Sequence, residues 1–139
     1  MSIIGYTTGV FDMFHIGHLN ILKRAKEMCD YLIVGVSTDE LVIEHKNKTP
    51  IIPFADRVEI VKSIKYVDRV IPQNRYDIEG KIEKVKELGI GRLFVGSDWE
   101  NTEKWIAIEK ELKKYGCEVV YLPHTDGISS TILRNKLSK

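Results

Sequence analysis

Two histidines, His15 and His18, stand three residues apart with Gly17 between them, inside the string Gly9-Val10-Phe11-Asp12-Met13-Phe14-His15-Ile16-Gly17-His18. The string follows an apolar run, Ile3 to Thr8, and leads into a helical pattern, so it occupies a strand-to-helix turn. At a helix N-terminus, free backbone N–H groups and the positive dipole end favour a phosphate chain. Residues three apart share one side of a helical turn, and a glycine lets a ligand come close to the backbone. Two imidazoles so placed can donate hydrogen bonds to phosphoryl oxygens as charge builds up during transfer. Taken alone, the pair would serve equally as a helix cap or half a metal site. The whole string, in its place after a strand, favours nucleotide chemistry. Asp12 in the same turn either meets a nucleotide-bound magnesium ion through water or only shapes the turn.

Other polar clusters lie further along the chain. Ser129, Ser130 and Thr131 put three hydroxyls at a predicted helix start, where Ser129 suits an N-cap and the group suits a second phosphate cradle. Lys46 and Lys48 fall in the least regular stretch, His45 to Phe54, which holds two prolines and reads as a loop beside the site. On spacing alone these lysines are solvated charge. Arg57 opens a helix whose apolar face holds Val58 and Val61, and by itself it is a surface charge. Trp99 by itself reads as core. Cys29 and Cys117 lack the spacing of a zinc site or a redox pair and read as reduced thiols.

The elements that must position these groups alternate regularly. Strand-length apolar runs occur at 3–8, 31–36, 67–71, 93–95 and 118–122. Helical patterns occupy 16–28, 55–64, 78–88 and 105–115, with a short helix from about Ser129. Such alternation predicts an α/β fold, a Rossmann-like doubly wound parallel sheet with helices on both faces, as one domain over residues 1–139. Ligands of these sheets sit beyond the carboxyl ends of the strands, where the loops carry the candidate residues. The 139 residues are 43% hydrophobic and 29% charged, with a formal net charge of +1. That balance argues against a general nucleic-acid surface. No stretch has the length of a membrane span or the make-up of a signal peptide, which predicts a cytoplasmic protein.

The string Gly9 to His18 resembles the HxGH motif of the nucleotidyltransferase superfamily, in the form found in the cytidylyltransferases. Further stretches are similar, in order, to the bacterial glycerol-3-phosphate cytidylyltransferases: Ser37 to Glu40, Lys46 and Lys48, Asp56-Arg57, Tyr66 to Asp68, Gly96 to Glu100, and Thr125 to Thr131. The resemblance implies that CMP passes from CTP to a small phosphate monoester, with sn-glycerol 3-phosphate the leading acceptor. Phosphocholine, phosphoethanolamine and pentitol phosphates are the alternatives within that chemistry. It implies that Val10, Phe11, His15, Ile16, Gly17 and His18 line the CTP phosphates and base, and that Lys48 reaches the phosphates. Lys46 then meets the acceptor phosphate and Arg57 clamps phosphate.

Asp98 and Trp99 fall where the family contacts nucleoside and acceptor. The segment from His124 and Thr125 through Gly127, Ile128, Ser129, Ser130 and Thr131 grips the triphosphate. His124 and Lys65 stand where the family usually has arginine, and Val10 where it has threonine; Lys65 falls at an acceptor-binding position. The stretch Asn101 to Tyr115 is longer than in the glycerol-phosphate enzymes. Magnesium bound with the triphosphate and a homodimer are also implied. Two other readings are an AMP-transferring enzyme that uses ATP, as the archaeal flavin-nucleotide synthetases do, and a nucleotide-sensing module without turnover.

Overall fold

Five apolar runs form one parallel sheet in the computed structural model, which describes residues 2–125 and 129–137. The strands are β1 (Ile4–Gly9), β2 (Tyr31–Ser37), β3 (Arg69–Gln73), β4 (Arg92–Gly96) and β5 (Glu118–Leu122), ordered β3-β2-β1-β4-β5. Every pairing is parallel. The helices are α1 (Ile16–Glu27), α2 (Asp39–Lys46), α3 (Phe54–Lys62), α4 (Ile78–Leu88), α5 (Glu103–Lys113) and α6 (Ser130–Leu137). The chain builds outward from β1 to β3, then returns to the other side of β1 for β4 and β5. The order therefore reverses between β1 and β4, which opens a crevice at their carboxyl ends.

Alternation along β2 shows why helices cover both faces. Leu32, Val34 and Val36 point one way and pack with Leu22 and Ala25 of α1 and Val61 of α3. Ile33 points the other way, into a cluster with Val85 of α4 and Ile108 and Leu112 of α5. Each such fully buried aliphatic side chain contributes roughly 1.5–3 kcal/mol of transfer free energy. At Gly5, a Cβ would lie 2.7 Å from Cys29 Sγ and from the Phe94 ring, so β1 and the end of α1 approach only over a glycine.

Two elements depart from the sequence reading. Residues 39–46 form α2, where no helix was expected. Thr38 caps it by accepting from Leu41 N, and Asn47 ends it in the left-handed region at φ 51°. The irregular stretch therefore begins only after Lys46. Strand β3 starts at Arg69, later than the predicted Val67, and runs through Pro72. Proline is tolerated there because β3 is an edge strand. Cys29 and Cys117 are both free thiols. Among the described residues, no helix is long and apolar enough to cross a membrane.

Candidate active site

The turn between β1 and α1 holds a strained backbone. Phe11 and Met13 lie at φ 55° and 48°, a region that bulky residues seldom adopt. Asp12, 2% exposed, fixes the turn between them. Its carboxylate accepts from Ile51 N at 2.9 Å and Ile52 N at 2.8 Å and pairs with Arg134 of α6. Its backbone oxygen accepts from Ser130 Oγ at 2.6 Å. Burial raises the Asp12 pKa, but these N–H donors and the guanidinium outweigh it and hold the carboxyl below its ordinary value. Asp12 thus joins three segments far apart in sequence.

The two histidines form a reciprocal helix cap. His15 is the N-cap of α1, and its Nδ1 accepts from Gly17 N at 3.0 Å. His15 N donates in turn to His18 Nδ1 at 3.1 Å, and the rings stack with centroids 3.9 Å apart. Because each Nδ1 is an acceptor, each neutral ring carries its proton on Nε2. Burial, then repulsion from His15, pushes the His18 pKa down to about 4, against a smaller opposing effect of Asp12. Burial also lowers that of His15. At neutral pH both rings are neutral donors.

A cleft of about 750 Å³ opens at the carboxyl ends of β1 and β4. Of the residues predicted for the site, Val10, Phe11, His18, Lys46, Lys48, Trp99, His124, Ser130 and Thr131 line it. His15 joins through its stack on His18, and Asp98 through a 2.8 Å contact with His124 Nε2. Thr125 Oγ1 accepts from Asn20 Nδ2 of α1 at 2.8 Å. Ile16 and Gly17 form the first turn of α1, and Ser129 Oγ accepts from Ile132 N in the first turn of α6. Gly127 and Ile128 lie outside the described residues. Lys46 has its pKa lowered by burial and by neighbouring Lys48 and Arg134. Lys46 and Lys48, beside the N-termini of α1 and α6, form an arrangement that can hold phosphate.

Two predicted contacts are not where phosphate would meet them. Arg57 is fully buried beneath the cleft. It donates to the carbonyls of Ile52 (2.9 Å), Val10 (2.7 Å) and Ser37 (2.7 Å) and pairs with Asp39 Oδ1 at 2.5 Å. With its fork so engaged it positions the loops around the turn rather than clamping phosphate. Lys65 is exposed in the connection from α3 to β3, with its ammonium 5.3 Å from the Tyr66 ring centroid. That connection leads to the amino end of a parallel strand, the end opposite the cleft.

The sequence reading missed Arg134 and Lys81, both of which line the cleft. Arg134 follows Ser130 by four residues and so shares its helix face, a signal present in the sequence. Lys81 lies in the first turn of α4, which Asp77 caps by accepting from Gly80 N. First turns of crossover helices lie at the ligand end of the sheet, which is the signal for Lys81.

Known proteins resemble this chain in sequence and in fold. A family profile described as Cytidylyltransferase-like matches residues 6–136. Glycerol-3-phosphate cytidylyltransferase of Bacillus spizizenii is 40% identical over 132 residues, covering 95% of this chain and 95% of its own. FAD synthase of Thermococcus kodakarensis is 40% identical over 119 residues, 84% of this chain and 76% of its own. Among solved structures, the lipopolysaccharide core biosynthesis protein of Thermoplasma volcanium superposes with a TM-score of 0.72 at 28% identity, covering 90% of this chain and 98% of that one.

Proposed function

The chain belongs to the cytidylyltransferase-like family, and from that premise we propose that it transfers CMP from CTP to a small phosphate monoester, with sn-glycerol 3-phosphate as the leading acceptor. The observation that carries the chemistry is the paired cap of α1, which fixes two neutral imidazoles as Nε2–H donors. The similarity to glycerol-3-phosphate cytidylyltransferases supports the acceptor.

A phosphate oxygen of the acceptor attacks the α-phosphorus in line. One P–O bond forms, the bond from the α-phosphorus to the bridging oxygen breaks, and pyrophosphate carries off that electron pair. The attacking group is already anionic at neutral pH, so no base need remove a proton. What the protein supplies is alignment and stabilisation of charge. In this reading the imidazole Nε2–H groups face the phosphoryl oxygens. Lys48 and the hydroxyls of Ser130 and Thr131 hold the leaving pyrophosphate, and Lys46 the acceptor phosphate.

Magnesium enters with the triphosphate as part of the substrate. Both Asp12 oxygens are engaged by Ile51, Ile52 and Arg134, so this carboxylate is poorly suited to hold a metal. The described residues also form no group of three or more metal-ligating acids, histidines or thiols. The homodimer rests on the family resemblance and the cytoplasmic location on the sequence reading above; light scattering during size exclusion checks the dimer.

The test is pyrophosphate release across CTP, ATP, GTP and UTP with a panel of phosphate monoesters. CTP with glycerol 3-phosphate should be preferred. The identity to FAD synthase favours one second reading, AMP transfer from ATP, and a dominant ATP rate with FMN as acceptor would establish it. No release with any pair would leave a binding module.

A further inference from the structure

Helix α1 carries the two histidines at its start, and further along it reaches the connection that follows β5. Asn20 and Arg24 stand one turn apart on one face of α1. Asn20 Nδ2 donates to Thr125 Oγ1 at 2.8 Å in a half-buried contact, and Arg24 donates to the carbonyl oxygen of Pro123 at 3.0 Å. These partners lie 105 and 99 positions away in the chain, so neither contact is a by-product of local turn geometry. Thr125 follows His124, which lines the cleft together with Ser130 and Thr131. Ser130 and Arg134 are tied in turn to Asp12, in the turn that opens α1. The polar residues beyond β5 are therefore held from both flanks by one unit, the β1–α1 turn and its helix.

The direction of the Asn20 bond decides what Thr125 can do. A hydroxyl has one hydrogen and two lone pairs, and its hydrogen turns to suit its partners. With one lone pair taken by the Asn20 amide, the Thr125 O–H cannot point back at α1 and is left to donate elsewhere. A hydroxyl that donates to a phosphate oxygen makes a charge-assisted bond, stronger than one between neutral groups. Resting on the transferase reading above, we propose that Asn20 is a positioning residue for the nucleotide: by donating to Thr125 Oγ1 it turns the Thr125 hydroxyl into a fixed donor to the triphosphate of CTP. One helix then aligns two sets of donors, the imidazole Nε2–H groups at its first turn and this hydroxyl beside its second. A carboxylate at position 20 would invert the bond. It can only accept, so it would draw the Thr125 hydrogen back to α1 and set a negative charge beside the phosphates.

The test measures CTP binding by calorimetric titration, and the KM for CTP and for sn-glycerol 3-phosphate, in the wild type, N20A, N20D, T125V and T125S. T125V should weaken CTP binding roughly tenfold or more, the worth of a hydrogen bond to a charged group, and T125S should recover most of it. N20A should raise the Kd and KM for CTP about 3- to 10-fold, and N20D by at least about tenfold. The KM for glycerol 3-phosphate should not move, and thermal melts should stay close to the wild type, which separates positioning from loss of fold. Adding N20A to T125V should weaken CTP binding no further, because Asn20 acts only through that hydroxyl. CTP binding in N20D equal to the wild type, effects of N20A and T125V that simply add, or an equal rise in both KM values overturns the proposal. If N20D does not fold, the N20A and T125V cycle decides alone. Titrating ATP alongside CTP keeps the comparison if AMP transfer is the reaction. Weaker nucleotide binding in N20D and T125V, with no transfer to any acceptor, supports the positioning role and removes the transferase. Full transfer with unaltered nucleotide binding in both removes the positioning role alone.

Discussion

Because His15 N donates to His18 Nδ1, the two imidazoles are set by one another and by the helix they begin. Losing either Nε2–H donor should lower kcat roughly 10²- to 10³-fold, the usual worth of one oxyanion donor. H15A also removes the N-cap and should cost about 1 kcal/mol of stability, whereas H18A leaves that cap acceptor in place. Steady-state rates with thermal melts check both. Near-normal turnover in both variants would remove the histidines from the chemistry.

The lowered His18 pKa has a signed consequence. Its ordinary value is 6.5 and its folded value about 4, so in that window the unfolded chain binds the proton and the folded one does not. Stability should therefore fall as pH drops from about 6.5 toward 4, and H18N should flatten that slope in denaturant titrations. A parallel slope in H18N would assign the acid sensitivity to other groups.

At the scale of elements, the β1–α1 turn, the loop after α2 and the start of α3 are joined by one guanidinium. Removing a buried ionic partner costs about 3–5 kcal/mol, and R57A should lie near the lower end because Asp39 retains some solvent. Urea unfolding should show this as a lower midpoint, with a loss of activity that follows the loss of fold. A variant that is fully stable yet inactive would return Arg57 to direct phosphate contact.

Arg57 also marks where the sequence stops being legible. Val58 and Val61 identified its helix, but no local pattern separates an arginine facing water from one facing three carbonyls. The sheet was legible because Leu32 to Val36 and its counterparts are continuous apolar runs, as strands covered on both faces must be. Helix α2 was not, because only eight residues separate its Thr38 cap from Asn47, and the lysines and prolines beyond dominate the window. The cap pair His15/His18 was legible because both partners lie within one turn. Arg134 pairs with Asp12, 122 residues away, and that distance hid it.

At the scale of the whole molecule, the reversal of strand order between β1 and β4 sorts the chain by task. On the proposed reading, the nucleotide side draws on α1 and α6 from the two ends of the chain and on Lys48 after α2. The α4–α5 side of the cleft draws on one continuous middle segment, from Tyr76 to Trp105. This partition makes the fold divisible for evolution: the middle can drift while the ends are held by the mutual contact of Asp12, Ser130 and Arg134. A chimaera carrying residues 74–105 of a relative with another acceptor should keep CTP use and its KM while adopting the donor segment's acceptor preference. Exchanging residues 9–20 should alter nucleotide use instead. On the proposed reading, that outcome would make acceptor choice a cassette, exchanged by replacing one stretch of chain rather than by remaking a site.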